Sequence, residues 1–232
     1  VSRNFITRSE FLDHMLSMTD FLWNTAEVFH GAYPHWLNGT TGKTIQFSPN
    51  DDGADLVETS YLIMGLLSAK EFFNTSDSKE VKLRTKIDSI WHRVDWNWFT
   101  KNGTENSLYW HWSPRGGFIM NMPIRGWNEC LITHVLAAAS PTHPVKTDVY
   151  HKGWALNGSI KNGKTFYGLK LPLGEDFGGP LFFSHYSFLG INPKDLSDDY
   201  ADYWEQNKHH SLINYEYCKV NPKNQAGYHD SM

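Results

Sequence analysis

Three carboxylates capable of joint acid–base work stand close together in the run Asp51-Asp52-Gly53-Ala54-Asp55-Leu56-Val57-Glu58-Thr59. In a helix beginning near Asp51, the residues Asp51, Asp55 and Glu58 have the i, i+4, i+7 spacing of one face, where like charges repel. Asp51 and Asp52 have a second reading, as acids complementing the dipole of a helix N-terminus. That reading explains Glu58 poorly. It lies between Val57 and Tyr61 in the most apolar helical stretch of the chain, where a carboxylate is costly unless it has a partner or faces a wet cleft. A second acid, Glu129, ends the segment Arg125-Gly126-Trp127-Asn128-Glu129, where a Gly-containing aromatic loop enters an apolar helix. Glu129 then falls in the first helical turn, at the mouth of any cavity the inner helices enclose. The same position also suits a plain helix-terminus acid.

Just upstream of Glu129 come Tyr109, Trp110, His111, Trp112, Ser113 and Pro114, then Phe118 and Asn121. Aromatic rings that stack on sugar C–H faces, interleaved with polar groups that meet hydroxyls, suit a carbohydrate cleft. A core cluster is rarely this polar. Trp112, Trp127, His111 and Asn128 are therefore candidate substrate-binding residues, joined by Tyr186 and His185 of Ser184-His185-Tyr186-Ser187 and by His143 of Pro141-Thr142-His143-Pro144. A Ser–His pair without a Gly-x-Ser-x-Gly elbow is weak evidence for a triad. His30, His35, His111, His143 and His185 have no HExxH-type spacing, and no metal is expected.

These groups must be positioned by helices. Ser9 can cap a helix carrying Phe11, Leu12, Met15, Leu16, Phe21, Leu22, Val28 and Phe29, with Gly31 placed to end it. Turn residues fill 33–50. A second helix from Asp52 or Gly53 to Phe73 is apolar around much of its circumference and is expected inside. A third, from about Ser78 to Trp98, has one inward stripe (Val81, Leu83, Ile87, Ile90, Trp91, Val94) and is expected outside. Residues 103–125 read as loop and 128–139 as a short apolar helix stopped at Ser140-Pro141. Residues 144–156 read as helical, and 159–170 as an accessory β-hairpin turning at Asn162-Gly163. Pro180 opens an apolar helix through Leu189, and 195–207 form a further amphipathic helix. Beyond Ser211 the pattern defines no element.

The chain has 232 residues, a net charge of −4 and no basic block, which leaves counterion release little to act on and argues against nucleic acid as partner. No stretch reaches the length of a membrane span. Cys130 and Cys218 read as free thiols, with a single disulfide as the alternative. The start at Val1 and the trailing segment Ala226–Met232 read like a piece of a longer protein, so the absent signal peptide is no evidence for the cytoplasm. Helices alternately apolar all round and amphipathic fit a single all-α domain, residues 1–232, built as a two-layer array of helical hairpins and incomplete at both ends.

Taken together, DDGADLVE (51–58) with Thr59, Gly65-Leu66-Leu67, His111-Trp112-Ser113-Pro114, Gly126-Trp127-Asn128-Glu129, Ser140–Pro144 and Pro180–Gly190 resemble the glucoamylase-like domain of bacterial β-1,2-glucanases. The resemblance runs from about Phe5 onwards. It implies an (α/α) toroid, of which this chain supplies part, and internal hydrolysis of β-1,2-glucan to sophoro-oligosaccharides with inversion and without a cofactor. It carries catalytic roles onto Asp51, Asp55, Glu58 and Glu129, with Glu129 as candidate acid, and implies a further acid in a C-terminal third that lies outside this sequence. It also implies a monomer that is periplasmic or secreted. Two rivals are a transglycosylating module of a cyclic β-1,2-glucan synthase and a carbohydrate-binding module without turnover.

Overall fold

The computed structural model describes residues 1 and 3–228, and within them six α-helices carry the chain, with three two-stranded antiparallel sheets between them. Residues 229–232 of the trailing segment lie outside the described residues. The centre is a helical hairpin, α2 (Leu56–Phe72) and α3 (Ser78–Arg93), each capped by an aspartate: Asp55 Oδ1 accepts from the Val57 and Glu58 amides, and Asp77 from those of Lys79 and Glu80. α1 (Arg8–Asn24) packs on α3, and α4 (Leu131–Ala139) packs on the other side of α2. Flanked on both sides, α2 buries Leu56, Val57, Ile63, Met64, Leu66 and Ala69. α3 buries Leu83, Ile87 and Ile90 of the expected stripe, while Val81 is exposed, Trp91 is half-buried and the buried Val94 lies just beyond the helix.

Several boundaries differ from the sequence expectation, each for a local reason. Thr7 rather than Ser9 caps α1, because Glu10 completes a reciprocal pair: Thr7 Oγ1 accepts from the Glu10 amide, and Glu10 Oε2 accepts the Thr7 amide at 2.9 Å. α1 ends at Asn24, not at Gly31. His30 and Gly31 instead form a two-residue turn between the paired Phe29 and Ala32, both with positive φ (52° and 80°). A Cβ on Gly31 would stand 2.0 Å from the Arg93 carbonyl oxygen, so the turn's close pass over the end of α3 demands glycine. α3 stops at Arg93, before an extended Val94 and a separate 3₁₀ turn at Trp98–Thr100.

The accessory hairpin is present, but its strands β5 (Thr165–Phe166) and β6 (Leu169–Lys170) turn at Tyr167-Gly168, whose φ values are 51° and 79°. Asn162 is drawn off instead to the Gly174 carbonyl and Asp176. The helix expected over 144–156 is a π-helical turn at Val149–Trp154, followed by a 3₁₀ turn at Leu156–Gly158. The segment after Pro180 is one α-helical turn, α5 (Phe182–His185), and then a 3₁₀ turn to Leu189. The amphipathic helix placed at 195–207 is α6, Tyr203–Val220, since Asp198 turns the chain by accepting from the Tyr200 and Ala201 amides and Asp202 supplies the cap. Both cysteines are free, and among the described residues no helix is long and apolar enough to cross a membrane.

An ion pair between a half-exposed arginine and a buried carboxylate ties α1 to this centre. Arg8 meets both oxygens of Glu80, at 2.8 and 3.0 Å, and Thr75 donates to the same carboxylate from its amide and hydroxyl. The Arg8 bond is the chief reason the Glu80 carboxyl is lowered to about 2. A folded pKa below the unfolded one stabilises above the ordinary carboxylate value, and the contribution is lost as pH falls through the folded value. Glu80→Gln is therefore expected to lower Tm at pH 7, with the difference from the parent shrinking below about pH 4, in thermal melts recorded across pH.

Candidate active site

The acids gather where α2 and α4 begin, and the chain reaches them by a short strand pair. β3 (Ala54–Asp55) runs antiparallel to β4 (His111–Trp112), with Asp55 opposite His111 and Ala54 opposite Trp112. The Leu56 amide continues the pairing by donating to the Trp110 carbonyl at 2.9 Å. A Cβ on Gly53 would stand 2.2 Å from the Trp112 carbonyl oxygen, so glycine admits this close approach. The helix therefore starts at Leu56, not at Asp51. Asp51, Asp55 and Glu58 are not three positions on one helical face. Asp51 lies in the preceding loop, Asp55 is the extended cap, and only Glu58 is helical.

Asp55 is completely buried, and both of its oxygens are engaged. Oδ1 holds the Val57 and Glu58 amides, each at 3.0 Å, while Oδ2 lies 2.9 Å from His35 Nδ1 and 3.4 Å from His111 Nε2. His111 Nε2 also stands 3.4 Å from Asp51 Oδ2, so one imidazole bridges two buried carboxylates. Burial, above all, raises the Asp51 carboxyl; the neighbouring His111 opposes the shift and Asp55 adds to it. His35, Asp51 and Asp55 bring ligand-type atoms within 4.8 Å of one another. Of these, Asp55 has both oxygens already committed to the helix cap and the histidines.

Glu58 and Glu129 differ from that buried pair, because both reach solvent. Burial raises the Glu58 carboxyl most; Asp55 and Glu129 add to it, and His35 opposes them, so these three groups lie within electrostatic reach of Glu58. Glu129 is likewise raised by burial, against a smaller opposing effect of its own backbone amide. It stands just before α4 rather than in its first turn. Its carbonyl accepts from Tyr61 Oη at 2.9 Å and from Ser187 Oγ at 2.6 Å, and Asn128 Oδ1 accepts the Cys130 amide at 3.0 Å. Asn128 is thus engaged in shaping the helix start.

The other expected substrate contacts divide. Successive strand residues face opposite ways. With His111 turned to the acids, Trp112 turns from them, against Phe29, His30 and Trp98. Trp127 is enclosed in the core, stacked on Tyr203, with its indole N–H donated to Ser184 Oγ. Neither tryptophan lines the acid cluster; an aromatic beside a glycine can be a core residue as readily as a platform. Tyr186 does stand beside the site, edge-on to Tyr61 at 5.9 Å. His185 points instead to Ser211 Oγ on α6. His143 is exposed beyond the C-terminal end of α4, the end opposite to Glu129. Sequence reasoning missed His35, Tyr61 and Ser187. Tyr61 was within reach of it, since it follows Glu58 by three residues on the same face of α2.

Helical hairpins packed side by side thus collect the acids at one end of the central helix. Residues 121–232 match the family model described as "Putative glucoamylase". The chain is 47% identical to an endo-β-1,2-glucanase from Chitinophaga pinensis, solved as a complex with sophorotriose and glucose, with a TM-score of 0.94 over 98% of this chain and 55% of that one. It is 41% identical to an exo β-1,2-glucooligosaccharide sophorohydrolase acting at the non-reducing end, from Parabacteroides distasonis, over 98% of this chain and 34% of that protein. A solved β-1,2-glucanase from the same organism superposes with a TM-score of 0.94 at 41% identity, over 98% of this chain and 35% of that one. The chain thus spans 34% to 55% of the length of these relatives.

Proposed function

We propose that the intact protein is a glycoside hydrolase that cleaves β-1,2-glucan internally, releasing sophoro-oligosaccharides with inversion at the anomeric carbon. The observation that carries this reading is the pair Glu58 and Glu129: two solvent-reaching carboxyls from different elements, both raised by burial and close enough for Glu129 to raise Glu58. Inverting hydrolysis needs one protonated carboxyl for the leaving oxygen and one carboxylate for water, about 6.5–9.5 Å apart. Two such groups in one site hold a proton to higher pH than either does alone. We assign the donor role to Glu129, because Tyr61 and Ser187 fix its backbone and hence the direction of its side chain. Glu58 is the acid free to reach the attacking water. Asp51 and Asp55, buried and bridged by His111, are assigned as positioning residues: Asp55 sets the start of the helix that carries Glu58.

On this reading the chain is one domain, part of an (α/α) toroid closed by further helical hairpins, in a monomeric enzyme that is periplasmic or secreted. The likeness to β-1,2-glucanases along nearly the whole chain supports the substrate class. The name of the Parabacteroides distasonis sophorohydrolase favours exo action as a second reading. Digestion of linear β-1,2-glucan and of starch by the intact protein tests both. A ladder of short oligosaccharides from the glucan and nothing from starch is expected; a single small product from the first time point favours exo action. Release from starch alone, or from neither polymer, overturns the proposal.

A further inference from the structure

A second feature lies one side chain away from the acids. Strands β1 (Trp36–Leu37) and β2 (Thr44–Ile45) pair antiparallel with Trp36 opposite Ile45. Phe47 follows Ile45 by two residues, so it falls on the same face as Trp36. Trp36 and Phe47 are each 50% exposed, and their rings meet nearly at right angles (74°) with centroids 4.9 Å apart. The imidazole of His35 stacks on Phe47 at 4.2 Å, and its Nδ1 is the atom that contacts Asp55. A patch of large exposed aromatic surface rarely stands without use, and this one adjoins the proposed site through a single shared residue.

The hairpin that presents it is held firmly. Glu27 accepts from the Thr44 amide at 2.8 Å, the Thr44 hydroxyl at 2.9 Å and Lys43 Nζ at 2.7 Å, and the Phe47 amide donates to the Asp51 carbonyl. The rings are therefore placed before any ligand arrives, which lowers the ordering cost of binding.

We propose that Trp36 and Phe47 form a binding subsite for a glucose unit of the β-glucan, with Trp36 as the stacking surface, Phe47 as the wall and His35 as the link to the acid cluster. The inference rests on the proposed function and names a contact for its substrate. Two perpendicular apolar faces, open at the rim and polar at the base, match a pyranose ring, whose C–H face is apolar and whose edge carries hydroxyls. A site for an apolar ligand would have no use for a histidine and buried carboxylates at its foot.

Calorimetric titration of β-1,2-gluco-oligosaccharides into the intact protein carrying Glu129→Gln measures association without turnover. Adding Trp36→Ala is expected to weaken it roughly ten- to hundred-fold, and Trp36→Phe to restore most of the loss. In the otherwise unaltered enzyme, Trp36→Ala should raise KM for the glucan while kcat stays within about two-fold. Both substitutions are at an exposed position, and unchanged melting confirms an intact fold. Unchanged association and KM overturn the subsite while leaving hydrolysis of β-1,2-glucan standing, and so does a loss confined to kcat. A parent protein that neither binds nor cleaves β-1,2-glucan overturns the proposed function and this subsite with it.

Discussion

Replacing Glu129 with glutamine in the intact protein is expected to cost about 10²–10⁴-fold in turnover on β-1,2-glucan while leaving oligosaccharide affinity nearly unchanged. The amide keeps the shape of the side chain and still meets sugar hydroxyls, but it has no proton to give to a leaving oxygen. The backbone contacts from Tyr61 and Ser187 survive the change, so the loss cannot be assigned to a displaced loop. Stability supplies the discriminating sign. Burial raises the Glu129 carboxyl above its ordinary value, so its folded form is favoured while protonated and loses that advantage as pH rises through the folded pKa. At neutral pH the ionised side chain therefore burdens the fold, and glutamine relieves it. The variant should melt higher than the parent at pH 7, with the difference closing below the ordinary carboxylate range. A variant that melts lower and retains its rate per folded molecule would make Glu129 a structural helix-terminus acid.

Asp55 is expected to show the second largest effect, and one that two substitutions separate. Asp55→Ala removes the cap from α2 and empties the acceptor beside His35 and His111. Loss of an N-cap costs about 0.5–2 kcal/mol, which in a chain of this size lowers Tm by roughly 1–8 °C. Glu58, three residues into the same helix, loses its placement, and a displacement of that kind can cost about 10²-fold in rate. Asp55→Asn keeps an oxygen for the Val57 and Glu58 amides but turns an NH2 group towards two histidines. It should recover most of the melting temperature and little of the activity. Full activity in Asp55→Asn would show that the charge is irrelevant, and melting as low as that of Asp55→Ala would show that the cap is not what Asp55 supplies.

The helices of this fold were legible because their signals are local. The apolar circumference of α2 and the main stripe of α3 follow from spacing alone, and both helices form within the segments that spacing marks, although α2 begins at Leu56 and α3 ends at Arg93. The acids were legible for a related reason, since a carboxylate such as Glu58 amid apolar residues needs an explanation wherever the helix begins. What the sequence did not disclose depends on pairing between distant segments. Asp55 is pulled out of the helix by His111, 56 positions away, and no periodicity in 51–59 reports that partner. The same pairing decides that His111 faces the acids and Trp112 does not. The hairpin turn at Tyr167-Gly168 was missed because Asn162-Gly163 carries the stronger local turn chemistry, yet Asn162 is used to hold Gly174 and Asp176.

The two-residue pairing of β3 with β4 has a consequence for the order in which the molecule comes apart. It is the connection through which the long, irregular segment after α3 is laid across the start of α2, with Leu56 bonded to Trp110 and Asp55 facing His111. So short a ladder opens at lower free energy than the helices behind it, whose amides are bonded within their own turns. Opening it removes His111 from Asp51 and Asp55, leaving His35 as the imidazole beside Asp55, while α1, α2 and α3 stay packed. Under mild denaturation the proposed catalytic centre should thus be lost as a local event, before helical content falls. Amide hydrogen exchange would register it first at Leu56, ahead of the interior of α2.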